Sequence, residues 1–397
     1  MLTATKIERR PLSLVPLGVM FFFVGLSAAV VGPFLSLFLS TAVHAGPALV
    51  AAFLIIGPVS SVVSSTVIGR LSDKRAIRRR LLLVAAAAGC TGSVVTAFVR
   101  DYWVLVAVAV TLTAVSGSLF PQSFAYAREV LQQNGSTRSA MAISTLRMLF
   151  SIAWVAGPPV AAVLLEVGSF RILYLTAAAM YVLAGAVALI WLKDTGPPPG
   201  HPDAERPAPL PSASRGTVLR VVAALTVLQG AGVLGVQAMS LFVGHVLHAD
   251  VRNAGLILGW CAALEIPLML AFGALSAKWS LRNLMAFGAV LGVVYYALVT
   301  GSSSTWQVMA LQLLNACFIA AVGGLGISYV QELLPSEPGR AATLAGNSFP
   351  VASILAGPLL GVAQHVGYRW AYGFGAALCA VGLALLLTTR RPRTAST

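Results

Sequence analysis

Gly-Arg-Leu-Ser-Asp-Lys at residues 69–74 returns 204 positions later as Gly-Ala-Leu-Ser-Ala-Lys at residues 273–278. At the same offset, Ser-Leu-Phe at residues 36–38 returns at residues 240–242. These matches keep their order along the chain and their place relative to long apolar stretches. The sequence therefore predicts two consecutive copies of one structural plan.

Six apolar stretches lie in each copy, and each is about long enough for a helix to cross ~30 Å of hydrocarbon. Hydrophobic residues make up 58% of the chain and charged residues 10%, whereas about a quarter of a soluble domain is charged. The sequence predicts an all-α membrane protein with twelve transmembrane helices, at residues 14–39, 46–68, 81–99, 103–127, 139–164, 171–192, 219–244, 253–276, 283–302, 306–330, 341–364 and 370–389.

Positive charge is divided unevenly between the gaps that separate these spans. Of the 26 Lys and Arg residues, 21 lie at the termini or in the even-numbered gaps. The odd-numbered gaps hold four: Arg100, Arg171, Arg252 and Arg369. Because Lys and Arg accumulate on the cytoplasmic side, both termini are expected to be cytoplasmic. The two copies then form pseudo-symmetric six-helix bundles related by an axis along the membrane normal, which resembles the major facilitator fold.

A Pro-rich stretch separates the two bundles and contains three consecutive prolines after Gly196. Proline cannot continue a regular helix, so we interpret residues 193–218 as a cytoplasmic linker. The predicted domains are an N-terminal six-helix bundle at residues 1–192, this linker, and a C-terminal six-helix bundle at residues 219–397.

Several classes of function are excluded by composition and motifs. The net charge of +14 is explained by basic loops that orient the protein and contact anionic lipids, so nucleic acid is not an expected partner. All four cysteines lie within apolar stretches without metal-ligand spacing, and the sequence contains no catalytic motif. We therefore predict no metal site, no cofactor and no enzyme activity.

The loop after the second span carries Gly69 and Asp73, followed by Arg78, Arg79 and Arg80. This pattern resembles the signature that facilitator proteins carry in the same loop. There Gly69 would permit close helix packing, and the Asp73 carboxylate would lie against a helix N-terminus, where exposed N–H groups attract an anion. We predict that Gly69 and Asp73 belong to a cytoplasmic gate. For the three arginines we favour the alternative, a role in membrane orientation alone.

Two charged residues, Arg147 and Glu265, lie deep within predicted spans. Each costs about 2.5–3.5 kcal/mol at a helix centre, so both are functional candidates. Apolar neighbours disfavour the charged form of the Glu265 carboxyl, which can thus take up a proton on one side and release it on the other. We predict that Glu265 is the proton site and that Arg147 is its partner or a clamp for substrate. The alternative is a structural salt bridge.

The fifth span contains Gly157, which returns 200 positions later as Gly357. Ten residues before these glycines stand Arg147 and Asn347, so Asn347 is predicted to be the uncharged, hydrogen-bonding counterpart of Arg147. Gly157 with Pro158 resembles the Gly-Pro element of facilitator antiporters, in which small residues and a kink permit packing that seals the outer side. We predict a gate at this pair; a simple bend near the helix end is the alternative.

The run at residues 147–159 reads Arg-x-x-x-Ser-x-Ala-Trp-x-x-Gly-Pro-Pro. With it we group further stretches of the same kind, at residues 35–40, 121–129, 264–267, 311–316, 331–335 and 347–348. Together they resemble the bacterial sugar efflux transporters, a group within the major facilitator superfamily. The resemblance covers nearly the whole chain apart from its termini and the central linker.

The resemblance implies two groups of functional residues. It implies substrate contacts for Gln122, Arg147, Trp154, Glu265, Asn315 and Asn347, and gating roles for Arg128 and Glu129. From the residues themselves, Gln237 in the seventh span adds an amide and Trp260 in the eighth adds an aromatic face, both of which suit a sugar. The alternative for each amide is an interhelical hydrogen bond that stabilises packing alone.

The predicted function is secondary active transport. We expect export of sugars, glycosides or sugar analogues by proton antiport through alternating access, driven by the proton gradient. One alternative is efflux of amphipathic drugs in exchange for protons, which favours a more aromatic cavity than a chain with 8% aromatic residues provides. Another is a non-transporting membrane sensor or scaffold on the same fold. The protein is expected to be a monomer in the bacterial plasma (inner) membrane.

Overall fold

The computed structural model describes residues 15–74, 77–133, 139–192, 213–335 and 337–389. Within these ranges, twelve helices are long and apolar enough to cross a membrane, which confirms the predicted all-α architecture. The helices are α1 (Val15–Ala42), α2 (Pro47–Lys74), α3 (Arg78–Phe98), α4 (Tyr102–Leu131), α5 (Ser139–Val167), α6 (Phe170–Ile190), α7 (Arg215–His245), α8 (Val251–Leu275), α9 (Leu281–Gly301), α10 (Thr305–Leu333), α11 (Pro338–Val366) and α12 (Arg369–Leu387).

The seventh helix begins four residues earlier than predicted, at Arg215. Ser214 precedes it as the capping residue, and its hydroxyl oxygen accepts a hydrogen bond from the backbone N–H of Thr217 at 3.3 Å. The predicted linker at residues 193–218 therefore ends inside the first turn of α7. Residues 193–212 of that linker lie outside the described residues.

The two halves repeat the same packing. In the first half α1 packs along α5 and α6, and in the second α7 packs along α11 and α12. The guanidinium of Arg79 donates to the carbonyl oxygen of Leu189 in the last turn of α6, at 2.7 Å. Arg282 makes the same bond to Leu387 at the end of α12, at 2.8 Å. These matched contacts confirm the two pseudo-symmetric bundles.

The turns after α1 and α7 are also matched. His44 and His248, which share the offset of the sequence repeat, adopt left-handed backbone conformations with φ of 57° and 49°. Behind them, Ala45 N–H bonds to the Leu39 carbonyl oxygen just as Ala249 N–H bonds to that of Val243. Each bond joins residues six apart, one more than the corresponding bond of a Schellman cap, and each histidine takes the left-handed position that glycine usually occupies at a helix end.

α1 is irregular in its second half. A tight 3-10 turn covers Gly32–Phe34, and a wider π-helical turn covers Phe38–Ala42. Pro33 lacks the N–H that a regular helix needs, so the hydrogen-bond ladder cannot continue unchanged through this point. The Gly32 carbonyl accepts from Leu35 N–H within the tight turn and keeps a second lone pair for another donor.

The halves meet at one end of the bundle, which we call the closed end: the end that holds the turns after α1 and α7. Within the described ranges, the extended contacts between halves pair α5 with α8 and α2 with α11, and α1 touches α7 beside them. The residues that form these contacts lie near the start of α2 and α8 and towards the end of α1, α5, α7 and α11. The closed end is therefore the place where the two bundles are sealed together.

Candidate functional site

The α5–α8 seal consists of backbone packed directly against backbone. A Cβ added at Gly255 would lie 3.1 Å from the carbonyl carbon of Pro158 and closer still to its oxygen. One added at Gly259 would lie 2.9 Å from the carbonyl oxygen of Val155 and 2.8 Å from Cδ of Pro159. Any side chain at these glycines would push the halves apart.

Gly157 allows close packing of α5 against α1, within the first half, and not against the second half. A Cβ at this position would lie 3.0 Å from the carbonyl carbon of Ala29. Its neighbour Pro158 supplies the contact with α8. The gating roles of Gly157 and Pro158 stay predictions, and both residues lie at the closed end, where such a role requires them.

The α2–α11 seal uses glycines of α11. A Cβ at Gly357 would lie 3.1 Å from the carbonyl oxygen of Ala51, and one at Gly361 would lie 3.2 Å from that of Pro47. Ala51 is the fifth residue of α2, as Gly255 is the fifth residue of α8. Pro158 packs on Gly255, and Gly357 packs on Ala51, the residue equivalent to Gly255. Pro158 and Gly357 are therefore equivalent, and the offset between α5 and α11 is 199 residues rather than 200.

The one-residue difference changes the counterpart of Arg147. At the offset given by the contacts, the equivalent residue of α11 is Gly346, not Asn347. Asn347 is exposed and shares a helix face with Val351 and Val362, which are exposed as well. Its role in substrate binding stays a prediction.

α1 and α7 are joined by two hydrogen bonds between the halves, which we call the α1–α7 clamp. The side-chain amide of Gln237 donates from Nε2 to the backbone carbonyl oxygen of Gly32 at 3.1 Å. The Ser36 hydroxyl donates to the backbone carbonyl oxygen of Gln237. The Trp154 ring lies at the same point, 4.0 Å from where a Cβ on Gly32 would be. The structure thus brings Trp154 and Gln237 together at the break in α1.

Removing the Ser36 hydroxyl is expected to loosen the closed end. Ser36→Ala deletes one bond of the clamp, worth about 1 kcal/mol, so this end should open about fivefold more often. Hydrogen–deuterium exchange of peptides covering residues 32–42 measures the opening. Ser240→Ala is the matched control, because Ser240 is the repeat counterpart of Ser36 and its buried hydroxyl has no partner among the described residues. Equal exchange in both variants would contradict the clamp.

A chain of polar side chains crosses the second half between α8, α9 and α10. The Gln312 amide donates to the Tyr295 hydroxyl at 3.0 Å, and its oxygen accepts from Asn315 Nδ2 at 2.9 Å. Asn315 Nδ2 also donates to the Cys261 sulfur at 3.4 Å. All of these side chains are buried. From the sequence, Asn315 was proposed for the site and Gln312 was given no role, because their partners on the neighbouring helices, Tyr295 and Cys261, cannot be recognised from one sequence.

Four amide oxygens in the described ranges are buried without a hydrogen-bond partner: those of Gln122, Gln229, Gln237 and Asn315. An unpaired buried acceptor costs about 1–3 kcal/mol, so each one needs an explanation. The nitrogen of Gln237 is bonded to the Gly32 carbonyl and that of Asn315 to two neighbours, so neither amide can be flipped without losing those bonds. Both oxygens are therefore buried acceptors that receive no hydrogen bond from the described residues.

Glu265 and Trp260 lie on different sides of α8. Trp260 is 48% exposed and shares its face with Leu256 and Leu270, which are also exposed. Glu265 is partly buried and follows Cys261 by one helical turn, close enough to act on that thiol electrostatically. The structure thus places Glu265 beside the Asn315 chain and Trp260 on an exposed, apolar face. Their roles stay predictions.

Glu129 forms an ion pair at the end of the molecule opposite the closed end. Its carboxylate lies 2.9 Å from Nη2 of Arg78, and the two side chains are 13% and 8% exposed. Arg78 begins α3 and Glu129 lies in α4, so the pair ties two helices of the same half. From the sequence, a purely orienting role was favoured for Arg78, and its burial against Glu129 was not predicted because the two residues are 51 positions apart.

Some predicted residues have side chains outside the described part of the structure. Arg147, Asp73 and Arg128 occupy helical positions in α5, α2 and α4, and their predicted roles stay predictions. A Cβ at Gly69 would have no atom within 4 Å among the described residues, and the gating role of this glycine stays a prediction. In the same ranges, no group of three His, Cys, Asp or Glu side chains could hold a metal ion.

Comparison with known proteins decides the family. The chain matches the Major Facilitator Superfamily over residues 17–244 and again over residues 233–397. It belongs to the major facilitator superfamily. Members of this superfamily are transporters rather than enzymes. With twelve spanning helices and bacterial relatives, this facilitator is a multi-pass protein of the bacterial inner membrane.

Relatives that match more than nine-tenths of this facilitator carry the name of sugar efflux transporters. A Deinococcus radiodurans protein that is provisionally named a sugar efflux transporter is 37% identical to this chain. The match covers 94% of this chain and 96% of that protein. Sugar efflux transporter A of Dickeya chrysanthemi is 34% identical over 91% of both chains. The chain thus belongs to the sugar efflux transporter group of facilitators.

Solved facilitator structures share the fold. The nucleoside transporter NupG superposes with a TM-score of 0.72 at 15% identity, covering 95% of this chain and 99% of NupG. A bacterial homologue of the human lysosomal transporter Spinster, in an inward-facing and occupied conformation, superposes with a TM-score of 0.76 at 12% identity, covering 95% and 96% of the two chains. At such identities the likeness concerns the fold alone.

Proposed function

We propose that this facilitator exports sugars, glycosides or sugar analogues in exchange for protons. The observation that carries the proposal is the set of unpaired amide oxygens at Gln122, Gln229, Gln237 and Asn315. A sugar bears a hydroxyl on nearly every carbon and so supplies donors to acceptors of this kind. The names of the relatives, which match more than nine-tenths of the chain, support the same substrate class.

Trp154 supplies the second element of sugar recognition. Its ring lies at the break in α1, next to the Gln237 amide. One face of a sugar ring is rich in C–H groups and stacks on an aromatic side chain, while the hydroxyls at its edge reach polar groups. A site that combines one such ring with several amide acceptors suits a sugar better than a purely apolar drug.

Proton coupling in this proposal depends on Glu265. The carboxyl lies partly buried in α8, one turn beyond the thiol to which Asn315 is bonded. Uptake of a proton by Glu265 and binding of substrate at Asn315 would then act on one polar network, so that each event affects the other. Arg147 is proposed as the partner of Glu265 or as a clamp for a substrate hydroxyl.

Alternating access in this proposal consists of breaking and remaking the closed end. With the predicted orientation, the closed end faces the periplasm and the opposite end faces the cytoplasm. Substrate would enter from the cytoplasm while the α1–α7 clamp and the two glycine seals are intact. Release outside requires these contacts to separate, and proton binding at Glu265 would follow from the outer side.

Export can be tested in everted membrane vesicles that contain the protein. Respiration acidifies the vesicle interior, and addition of glucose, galactose or lactose is expected to release part of that acidity as radiolabelled sugar accumulates inside. Vesicles from the same host without the protein provide the control. The proposal fails if none of the sugars accumulates, or if sugar accumulates without any change in interior pH.

A further inference from the structure

Gln312 is a fully buried amide whose hydrogen bonds can be counted completely. Its Nε2 donates to the Tyr295 hydroxyl at 3.0 Å and to the Val308 carbonyl oxygen at 3.2 Å. An amide nitrogen carries two hydrogens, so both are used. The Gln312 oxygen is then the atom left to receive Asn315, and it accepts from Asn315 Nδ2 at 2.9 Å.

The same count applies to Asn315. One Nδ2 hydrogen points to the Gln312 oxygen and the other to the Cys261 sulfur, 3.4 Å away. Its Oδ1 is buried and has no partner in the ranges that the structure describes. The chain from Tyr295 through Gln312 therefore decides which way the Asn315 amide faces, with the nitrogen towards Gln312 and Cys261 and the oxygen on the other side.

We propose that Gln312 is a positioning residue for substrate: it holds the Asn315 amide so that Oδ1 accepts a hydrogen bond from one substrate hydroxyl. This inference rests on the proposed sugar transport and adds the direction of the hydrogen bond. In this site the substrate hydroxyl is the hydrogen-bond donor and Asn315 Oδ1 is the acceptor. Gln312 acts through Asn315, since its own polar atoms are already bonded within the protein.

The surroundings of Asn315 favour a ligand over a purely structural role. A structural amide between helices would have its oxygen as well as its nitrogen paired within the bundle, as Gln312 has. In Asn315 only the nitrogen is paired. The same side chain contacts Cys261, one helical turn from Glu265, so the unpaired oxygen belongs to the neighbourhood of the proposed proton site.

Fluorinated sugars separate donor from acceptor. Replacing a hydroxyl by fluorine keeps nearly the same size and a weak acceptor, but removes the hydrogen that Oδ1 of Asn315 would receive. At the hydroxyl that Asn315 recognises, the wild-type KM for the fluoro sugar is expected to be about tenfold higher than the KM for the parent sugar. At hydroxyls that accept a hydrogen bond from the protein, the increase in KM on fluorination should be smaller.

The experiment measures counterflow uptake of radiolabelled glucose and of each radiolabelled monofluorinated glucose in proteoliposomes, which gives a KM and a maximal rate for each sugar. In Asn315→Leu the fluoro-to-parent KM ratio should fall to about one at the recognised position. In Gln312→Met, which keeps side-chain length but loses both amide atoms, the ratio should fall about as far, because the Asn315 amide is free to rotate. The double variant should be no worse than Asn315→Leu alone. Gln331→Met is the matched control on an exposed part of α10.

The ratio distinguishes positioning from folding, because a loss of folded protein lowers the maximal rate for both sugars equally. Tyr295→Phe keeps the ring and removes the oxygen that receives Gln312, and it should lower the ratio part-way, so the inference stays testable if Gln312→Met does not fold. A wild-type ratio in both Gln312→Met and Tyr295→Phe would overturn the inference and leave sugar transport standing. If wild-type protein moves no sugar, the proposed function is wrong and this inference falls with it.

Discussion

Glu265→Gln is expected to abolish proton-driven export while leaving sugar exchange intact. Glutamine keeps the shape of the carboxyl and can still hydrogen-bond, but it cannot take up or release a proton. A charged residue at the centre of a spanning helix costs about 2.5–3.5 kcal/mol, so an isosteric neutral residue should not destabilise the fold. The expected loss is therefore specific to coupling.

Two assays on the same vesicles separate the effects. Accumulation of sugar against its gradient should fall about a hundredfold in Glu265→Gln, because the proton gradient no longer drives it. Each tenfold step in the concentration ratio requires about 1.4 kcal/mol of driving force. Counterflow, which needs no net proton movement, should keep its wild-type rate. Glu166→Gln, at an exposed position near the end of α5, is the control for removing a carboxylate. Full accumulation in Glu265→Gln would remove Glu265 from the role of proton site.

The spans and the repeat could be predicted from the sequence because both are carried by many residues. A run of apolar residues long enough to cross the bilayer leaves little choice of structure, since every backbone polar group must be paired within the helix. The repeat was supported by matches such as His44 with His248, and the structure gives both residues the same left-handed backbone conformation. Errors at single positions do not disturb conclusions of this kind.

The direction of single side chains could not be predicted in the same way. In a membrane helix the lipid-facing side and the packed side are both apolar, so the sequence gives little sign of which face is which. A slip of one residue turns a side chain by about 100°. The sequence match of Gly157 with Gly357 is one residue out of register, so it made Asn347 the counterpart of Arg147. The contacts at the closed end make Gly346 the counterpart instead.

Contacts between helices were the other part that one sequence does not contain. Gln237 was predicted to offer its amide to a sugar, with an interhelical hydrogen bond as the alternative, and its nitrogen is bonded to a carbonyl that the break at Pro33 leaves accessible. Nothing in the sequence around Gln237 points to Gly32, because the bond depends on how the two halves dock. The i,i+3 spacing of Gln312 and Asn315 is visible in the sequence, but the Tyr295 hydroxyl that receives the Gln312 amide lies on another helix.

The closed end itself provides the second large expected effect, at Gly255. An added methyl group would lie 2.5 Å from the Ala162 side chain and 3.1 Å from the carbonyl carbon of Pro158. Backbone atoms of a packed helix cannot move aside as a flexible side chain can. Overpacking of this kind costs about 1–3 kcal/mol, and the cost arises only while the halves are in contact. Gly255→Ala should therefore disfavour the sealed conformation by about five- to 150-fold relative to the opened one.

Spin labels on cysteines placed at His44 and His248 report this shift, because these exposed residues occupy equivalent turns of the two halves at the closed end. In Gly255→Ala the population with the longer label-to-label distance should become dominant, and sugar accumulation should fall in proportion to the lost sealed state. Gly273→Ala tests the same change on the same helix, at a glycine with no described atom within 4 Å of its added Cβ. If both variants keep the wild-type distance distribution, the glycine contact with Pro158 does not control closure.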